Sequence, residues 1–291
     1  MPEAPARPPL PLPPEEDHAP PLIVPAMPGE GLPAYVELYA LSHFSFQRGA
    51  SHPGELVRRA YNLGYEALAL TDECSVAGVV QAHVALREHL QEAARLEREG
   101  PGRRVRPFRL IFGSEFALPE GRLVALARNT FGWGDLCEFI TAARRAAPKG
   151  DYVVDWAQSD WSLLAGCECL WVPRRELPGA MDPDLLREGL RRARAHLGER
   201  LWLGVALAGE PGDDLWLALL RQAGAACGVP LVAVGSARMH RRSRKPLLDV
   251  LTAVREGRPV AQCGFALAPN AQCHLRYRAR LAQVFPTDLL E

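Results

Sequence analysis

The sequence predicts an α/β protein, a mainly parallel, barrel-like sheet wrapped by helices and preceded by a proline-rich tail. Three observations predict it. Short continuous apolar runs alternate with stretches of helical periodicity, the pattern of strands buried on both faces between crossover helices. Three of those runs end alike: residues 66–70 run into Thr71-Asp72-Glu73, 110–112 into Gly113-Ser114-Glu115, and 231–234 into Gly235-Ser236. That layout delivers polar groups to strand tips, where α/β proteins place their chemistry. Finally, 291 residues with 48% hydrophobic content suffice to bury one large core.

Residues 1–33 are dominated by proline, alanine and glutamate. Pro8-Pro9, Pro11, Pro13-Pro14 and Pro20-Pro21 predict a disordered or polyproline-like tail. A first strand over 35–40 leads into the turn Ser42-His43-Phe44-Ser45. Pro53 then opens a helix with Glu55 in its first turn, an apolar face of Leu56, Val57, Ala60 and Leu63, and Gly64 at C′. A strand over 66–70 precedes a long helix from about Val76 to Arg98, and 100–107 reads as a loop. The strand over 108–113 continues to Glu115, with 122–127 as its hairpin or neighbour. Helical patterns near 132–147, 182–197, 213–227 and 245–256 alternate with strands near 168–172, 201–207 and 230–235. Asp182 before Pro183 reads as a helix cap. The barrel is expected over 34–260 and an irregular C-terminal segment over 261–291, with a last helix between His274 and Val284.

Formal net charge is zero, so no global field favours nucleic acid or a membrane. Lys149 and Lys245 are the only lysines, and in so arginine-rich a chain Arg clusters are weak signs of phosphate binding. The seven cysteines include no Cys-x-x-Cys pair, which suits reduced thiols in the cytoplasm. Cys167-x-Cys169, inside an apolar run, reads as buried strand thiols rather than a metal site. Trp156, Trp161 and Trp171 read as packing anchors. No apolar run approaches the ~20 residues that span a bilayer.

His43, Asp72, Glu73, Glu115 and His240 fall at or just after strand ends, a set that hard divalent cations favour when several strands contribute. The residues alone leave a second reading equally open, with Asp72 capping the following helix and His43 a turn residue.

The stretch from Tyr35 to Pro53, the blocks Thr71-Asp72-Glu73-Cys74-Ser75-Val76 and Gly113-Ser114-Glu115-Phe116, and Met239-His240-Arg241-Arg242-Ser243-Arg244-Lys245-Pro246 carry a resemblance. So do Cys263-Gly264-Phe265 and Pro269-Asn270-Ala271. Together they resemble the polymerase-and-histidinol-phosphatase (PHP) domain, in the version found at the N-terminus of bacterial error-prone DNA polymerases, relatives of the polymerase III alpha subunit. The likeness runs from 35 to about 287.

The resemblance implies a distorted seven-stranded β/α barrel with metals at its C-terminal rim in active members. It places Tyr39 and Leu41 at the first His-x-His ligand pair, Glu73 at a ligand His, Glu115 at a retained Glu, and Ser236 and Arg238 at a closing Asp-x-His. Leu41 and Glu73 are shared by the error-prone branch, whereas Tyr39, Ser236 and Arg238 are further departures. A phenol ionises only near pKa ~10, and Arg238 brings a permanent charge to a cation's place. Only Glu115 and Glu73 remain as a remnant metal rim, so no catalytic residue and no cofactor is expected. His43 lies two residues past the lost pair, about 7 Å along a strand, too far to replace it.

The expected role is therefore a metal-free, structural part of a translesion polymerase. It would be partnered by palm and thumb regions that this chain lacks, and would touch DNA only through the parent enzyme. Two other readings stand beside it: a Mn- or Zn-dependent phosphoesterase or 3′–5′ exonuclease, and a free-standing module for polymerase-accessory proteins. Arg241, Arg242, Arg244 and Lys245 are candidate phosphate contacts, and a solvated basic loop is the simpler reading of them.

Overall fold

Apolar runs form strands here because both of their faces are covered. Along β2 (Ala67–Leu70), Leu68 and Leu70 face the helices while Ala69 faces the barrel interior. β1 (Val36–Ala40), β3 (Arg109–Leu118), β4 (Gly121–Ala127), β5 (Cys167–Pro173), β6 (Leu201–Ala206) and β7 (Leu231–Val234) complete a seven-stranded sheet in sequential order. β4 is antiparallel to both neighbours and every other pairing is parallel. The computed structural model describes Leu32 and residues 34–100, 105–175 and 182–290. The predicted tail, Leu32 and residue 34 onward apart, and part of the predicted 100–107 loop lie outside them.

The helices are α1 (Pro53–Asn62), α2 (Val79–Glu99), α3 (Thr130–Arg145), α4 (Pro183–Leu197), α5 (Asp213–Cys227), α6 (Lys245–Glu256) and α7 (Arg278–Val284). α1 starts at a capping box between His52 and Glu55 and stops at Gly64, whose φ of +81° is the left-handed conformation a C′ glycine supplies. Asp182 caps α4 by accepting the Asp184 amide. Trp156, Trp161, Trp171, Cys167 and Cys169 are all buried in the layer between sheet and helices.

Four expectations need correction. α2 begins at Val79, not Val76, because the chain first closes a turn through the Val79 amide and the Val76 carbonyl. Asp72 does not cap α2. Gly78 holds that position, and Asp72 is engaged elsewhere. β3 runs on to Leu118, since beyond Phe112 it leaves β2 and pairs with β4. The last helix is confined to Arg278–Val284, because His274 is drawn into a β-bridge with Met239.

The barrel closes at the β1–β7 seam through few backbone bonds. Leu41 N donates to the Ala237 carbonyl at 2.8 Å, and Ala237 N to that of Tyr39 at 2.9 Å. A register shift in β1 turns both Leu38 and Tyr39 towards the interior cluster and frees an amide. The Glu37 carboxylate accepts that amide, from Tyr39 at 3.1 Å, and the amide of Gly235, just past β7, at 2.9 Å. A Cβ on residue 235 would sit 2.0 Å from Glu37 Oε2, so any larger residue there must displace that carboxyl. The buried carboxyl therefore stands in for a missing rung of the ladder. Burial pushes it up to about 7, although these amides and Arg276 pull the other way.

Candidate functional site

The loop between β1 and α1 builds the mouth of the barrel. It folds on itself through bonds from Ser45 N to the Ser42 carbonyl (3.0 Å) and from Arg48 N to that of Ser45 (2.9 Å). The turn is so tight that a Cβ at Gly49 would lie 1.9 Å from the Ser42 carbonyl oxygen. Asp72, at the tip of β2, ties it down by accepting from Ser42 N (2.8 Å), Ser42 Oγ (2.7 Å) and Ser45 Oγ (2.6 Å). Burial raises the Asp72 carboxyl, with the serine bonds partly opposing the shift. All three serine donors converge on this carboxylate, so Asp72 orders the loop.

The product of that folding is Arg48, a loop residue turned inwards. Its Nη1 lies 2.5 Å from Glu73 Oε2 and 2.9 Å from Glu115 Oε1. The second contact is an ion pair lacking hydrogen-bond geometry. Glu73 and Glu115 are neighbours by construction, since a parallel β-bridge joins them and Cys74 N donates to the Glu115 carbonyl at 2.8 Å. Glu115 is wholly buried and projects into the barrel beside its partner Val124. Tyr39 fills the remaining side by donating its hydroxyl to Glu115 Oε2. Burial, and then the Glu115 charge, hold the Tyr39 phenol well above its ordinary range, so it stays a donor.

Glu73 gathers further partners, Arg122 Nη1 at 3.1 Å and the Tyr152 hydroxyl at 2.9 Å. Burial raises its carboxyl, but Arg48 and Arg122 outweigh that and the net shift is downward. Arg144 donates to the backbone carbonyls of Glu73 and Cys74 and braces the same tip.

The other sequence candidates are distributed differently. Leu41 is an apolar wall of the interior cluster. Arg238 is half-buried and near enough to act on the Tyr39 phenol, and Ser236 adopts a left-handed φ of +49°. His43 is exposed, with its ring against Phe44 and His52. His240 is buried, its Nδ1 2.8 Å from Ser51 Oγ, and serves the clasp between the β1–α1 loop and the chain after β7. In the basic block, Arg244 pairs with Glu55 at 2.5 Å and Lys245 with Asp249 at 2.5 Å, while Arg242 is exposed. Arg48, Arg122, Arg144 and Tyr152 were not singled out in the sequence. The signal that finds Arg48 is Gly49 after it, a residue the close approach to the Ser42 carbonyl requires.

The PHP domain family matches residues 37–193, more than half of the chain. The chain belongs to the PHP family. Similarity extends beyond the matched segment: this PHP chain is 43% identical over 273 residues to the error-prone DNA polymerase of Azoarcus sp. (strain BH72), covering 89% of this chain. It is 44% identical over 273 residues to that of Bordetella parapertussis, and 46% identical over 258 residues to that of Methylococcus capsulatus. The chain spans only 25%, 24% and 22% of the lengths of these relatives.

A metal at this PHP rim does not fit the residues present. Glu73 and Glu115 already share a guanidinium, Tyr39 holds Glu115 from the other side, and Asp72 is engaged by three serine donors. Among the described residues, no group of three or more His, Cys, Asp or Glu is placed to hold an ion. Seating a cation would require Arg48 to leave, because like charges at ~4 Å repel by about 4 kcal/mol at an effective dielectric of about 20.

Proposed function

We propose that this chain is the PHP-domain portion of an error-prone DNA polymerase and serves that enzyme as a structural, metal-free element in synthesis across damaged template. One observation carries the reading. The Arg48 guanidinium sits between Glu73 and Glu115, so the cation that balances the rim carboxylates belongs to the chain itself. A buried arginine shared by two carboxylates holds loop, β2 and β3 in one arrangement. With both carboxylates engaged by it, neither is left free to hold a metal that would activate water or a phosphodiester.

Nucleotidyl transfer belongs, in this reading, to the larger part of the polymerase, since the chain corresponds to about a quarter of its relatives. Palm and thumb regions would be its partners, and DNA would be reached through them. The free cysteines suit a cytoplasmic enzyme. Among the described residues, no helix is long and apolar enough to cross a membrane.

The competing reading is a Mn- or Zn-dependent phosphoesterase or exonuclease. Titration of Mn²⁺ into chelator-stripped protein, followed by calorimetry, separates the two. The expected result is no saturable heat above dilution in the wild type or in Glu115→Ala. Micromolar, saturable binding that Glu115→Ala abolishes, with hydrolysis of a phosphodiester that tracks it, would sink the structural reading.

A further inference from the structure

α6 is amphipathic in an unusual sense, because its outward face is as apolar as its inward one. Leu248, Thr252 and Ala253 are buried against the barrel end. On the opposite side Leu247, Val250 and Val254 are exposed, Val254 by 58%. Their i, i+3, i+7 spacing sets them in one stripe along the helix. The turns that follow continue the character, with Val260 exposed and Phe265 92% exposed. Scattered apolar residues on a surface need no explanation, but a helical stripe of them signals a partner.

The segment is also anchored. Cys263 is buried, and its thiol donates to the Arg258 and Pro259 carbonyls. Asn270 Nδ2 reaches the Ala208 carbonyl at 2.9 Å, and Arg276 Nη1 the Leu207 carbonyl at 2.9 Å. Phe265 is therefore held out on a tethered turn.

We infer that the outer face of α6, with the turns at Val260 and Phe265, is the docking surface for the polymerase polypeptide that this chain does not include. The inference rests on the proposed membership in an error-prone polymerase and adds where the contact is made. The matched relatives are about four times as long as the segment this chain covers. A domain joined to so much more polypeptide must present a covered face, and this helix carries an apolar stripe that finds no cover among the described residues. The occupant is expected to be an apolar helix or loop of the polymerase body, with the Glu256 cluster of Arg255 and Arg258 forming a polar rim.

Co-expression tests it. The full 291-residue chain, tagged, is expressed with the Azoarcus polymerase lacking its matching segment, and the pair is recovered through the tag. Val250→Glu/Val254→Glu is compared with wild type and with Val80→Glu and Phe131→Glu, which alter exposed apolar residues on other helices. Recovery at least tenfold lower for the double variant alone, with its thermal melt unchanged, supports the proposal. Equal recovery of the double variant overturns the docking face and leaves the polymerase reading standing. No recovery with wild type counts against the polymerase reading itself. A wild-type dimer in sedimentation that the double variant dissolves makes a second copy the occupant and also overturns the proposal.

Discussion

Replacing Arg48 by methionine removes the guanidinium while keeping most of the side-chain volume, and the consequence follows from what is left behind. Arg48 is 8% exposed and Glu115 fully buried, so Glu115 would lose its cation and keep only the Tyr39 hydroxyl, beside a Glu73 that retains Arg122. Each ion pair is worth about 4–6 kcal/mol of gross attraction at an effective dielectric of about 20. The net cost of breaking a buried pair by deleting one partner is about 3–5 kcal/mol. In thermal terms that is roughly 6–20 °C for a domain of this size class. The loss should depend on pH with a defined sign. Glu73 has its carboxyl held below the ordinary value in the wild type, chiefly by Arg48 and Arg122 against the upward pull of burial. Its stabilising contribution is present above about pH 4.5 and lost as pH falls through the lowered value. The wild-type advantage over Arg48→Met should accordingly be largest near pH 7 and shrink towards pH 4. Urea unfolding at both pH values measures it, and adding Glu73→Gln to Arg48→Met should recover part of the loss at pH 7. A deficit below about 1 kcal/mol, equal at the two pH values, would refute the view that Arg48 holds the rim together.

Three further outcomes follow from the fold. Glu37 has a folded pKa of about 7 against an ordinary 4.5, so the folded state binds its proton more tightly. Stability from this group is full below pH 4.5 and lost as pH rises through 7, by roughly 3 kcal/mol at most, and Glu37→Gln should flatten that slope in urea titrations. Gly235→Ala places a methyl 2.0 Å from the Glu37 carboxylate and should destabilise by about 1–3 kcal/mol, read as a lower melting temperature. Cys167 and Cys169 are fully buried, with burial pushing the Cys167 thiol to about 11 and the Cys169 thiol higher still. In native protein both should react with a thiol reagent far more slowly than Cys137, and unfolding should erase the difference.

Much of the fold was legible because period and punctuation agree in most elements. Continuous apolar strands, Pro53 and Pro183 opening helices, and Gly64 closing one each make a local statement that tertiary packing then honours. Where tertiary contacts decide, the residues were silent. Nothing in the local pattern of His274 says that Met239 will pair with it, so the pattern over 274–284 overstates the length of the last helix. Asp72, beside a coming helix, has the look of a cap, and only the folded loop shows three serine donors reaching it first. The rim was half legible. Tyr39, Glu73, Glu115 and Arg238 could be placed from strand tips and resemblance, but Arg48 sits in a turn between Gln47 and Gly49 where an arginine reads as solvent-facing. Its inward course depends on Gly49 lying against Ser42 and on Gln47 taking a φ of +60°. Glu37 was hidden for a similar reason, because a carboxyl acting as a backbone surrogate leaves no periodic trace.

The Arg48 arrangement changes what the barrel mouth depends on. An ion held by side chains is in exchange with its surroundings, and its occupancy follows supply, chelators and competition among metals. A guanidinium on the chain has no dissociation constant of that kind. It arrives with both carboxylates in the same polypeptide, as soon as the loop folds, and stays charged at any physiological pH. On the metal-free reading proposed above, whatever the mouth supports would be uncoupled from the availability of metal, with Glu73 and Glu115 held in register by a residue of the chain itself.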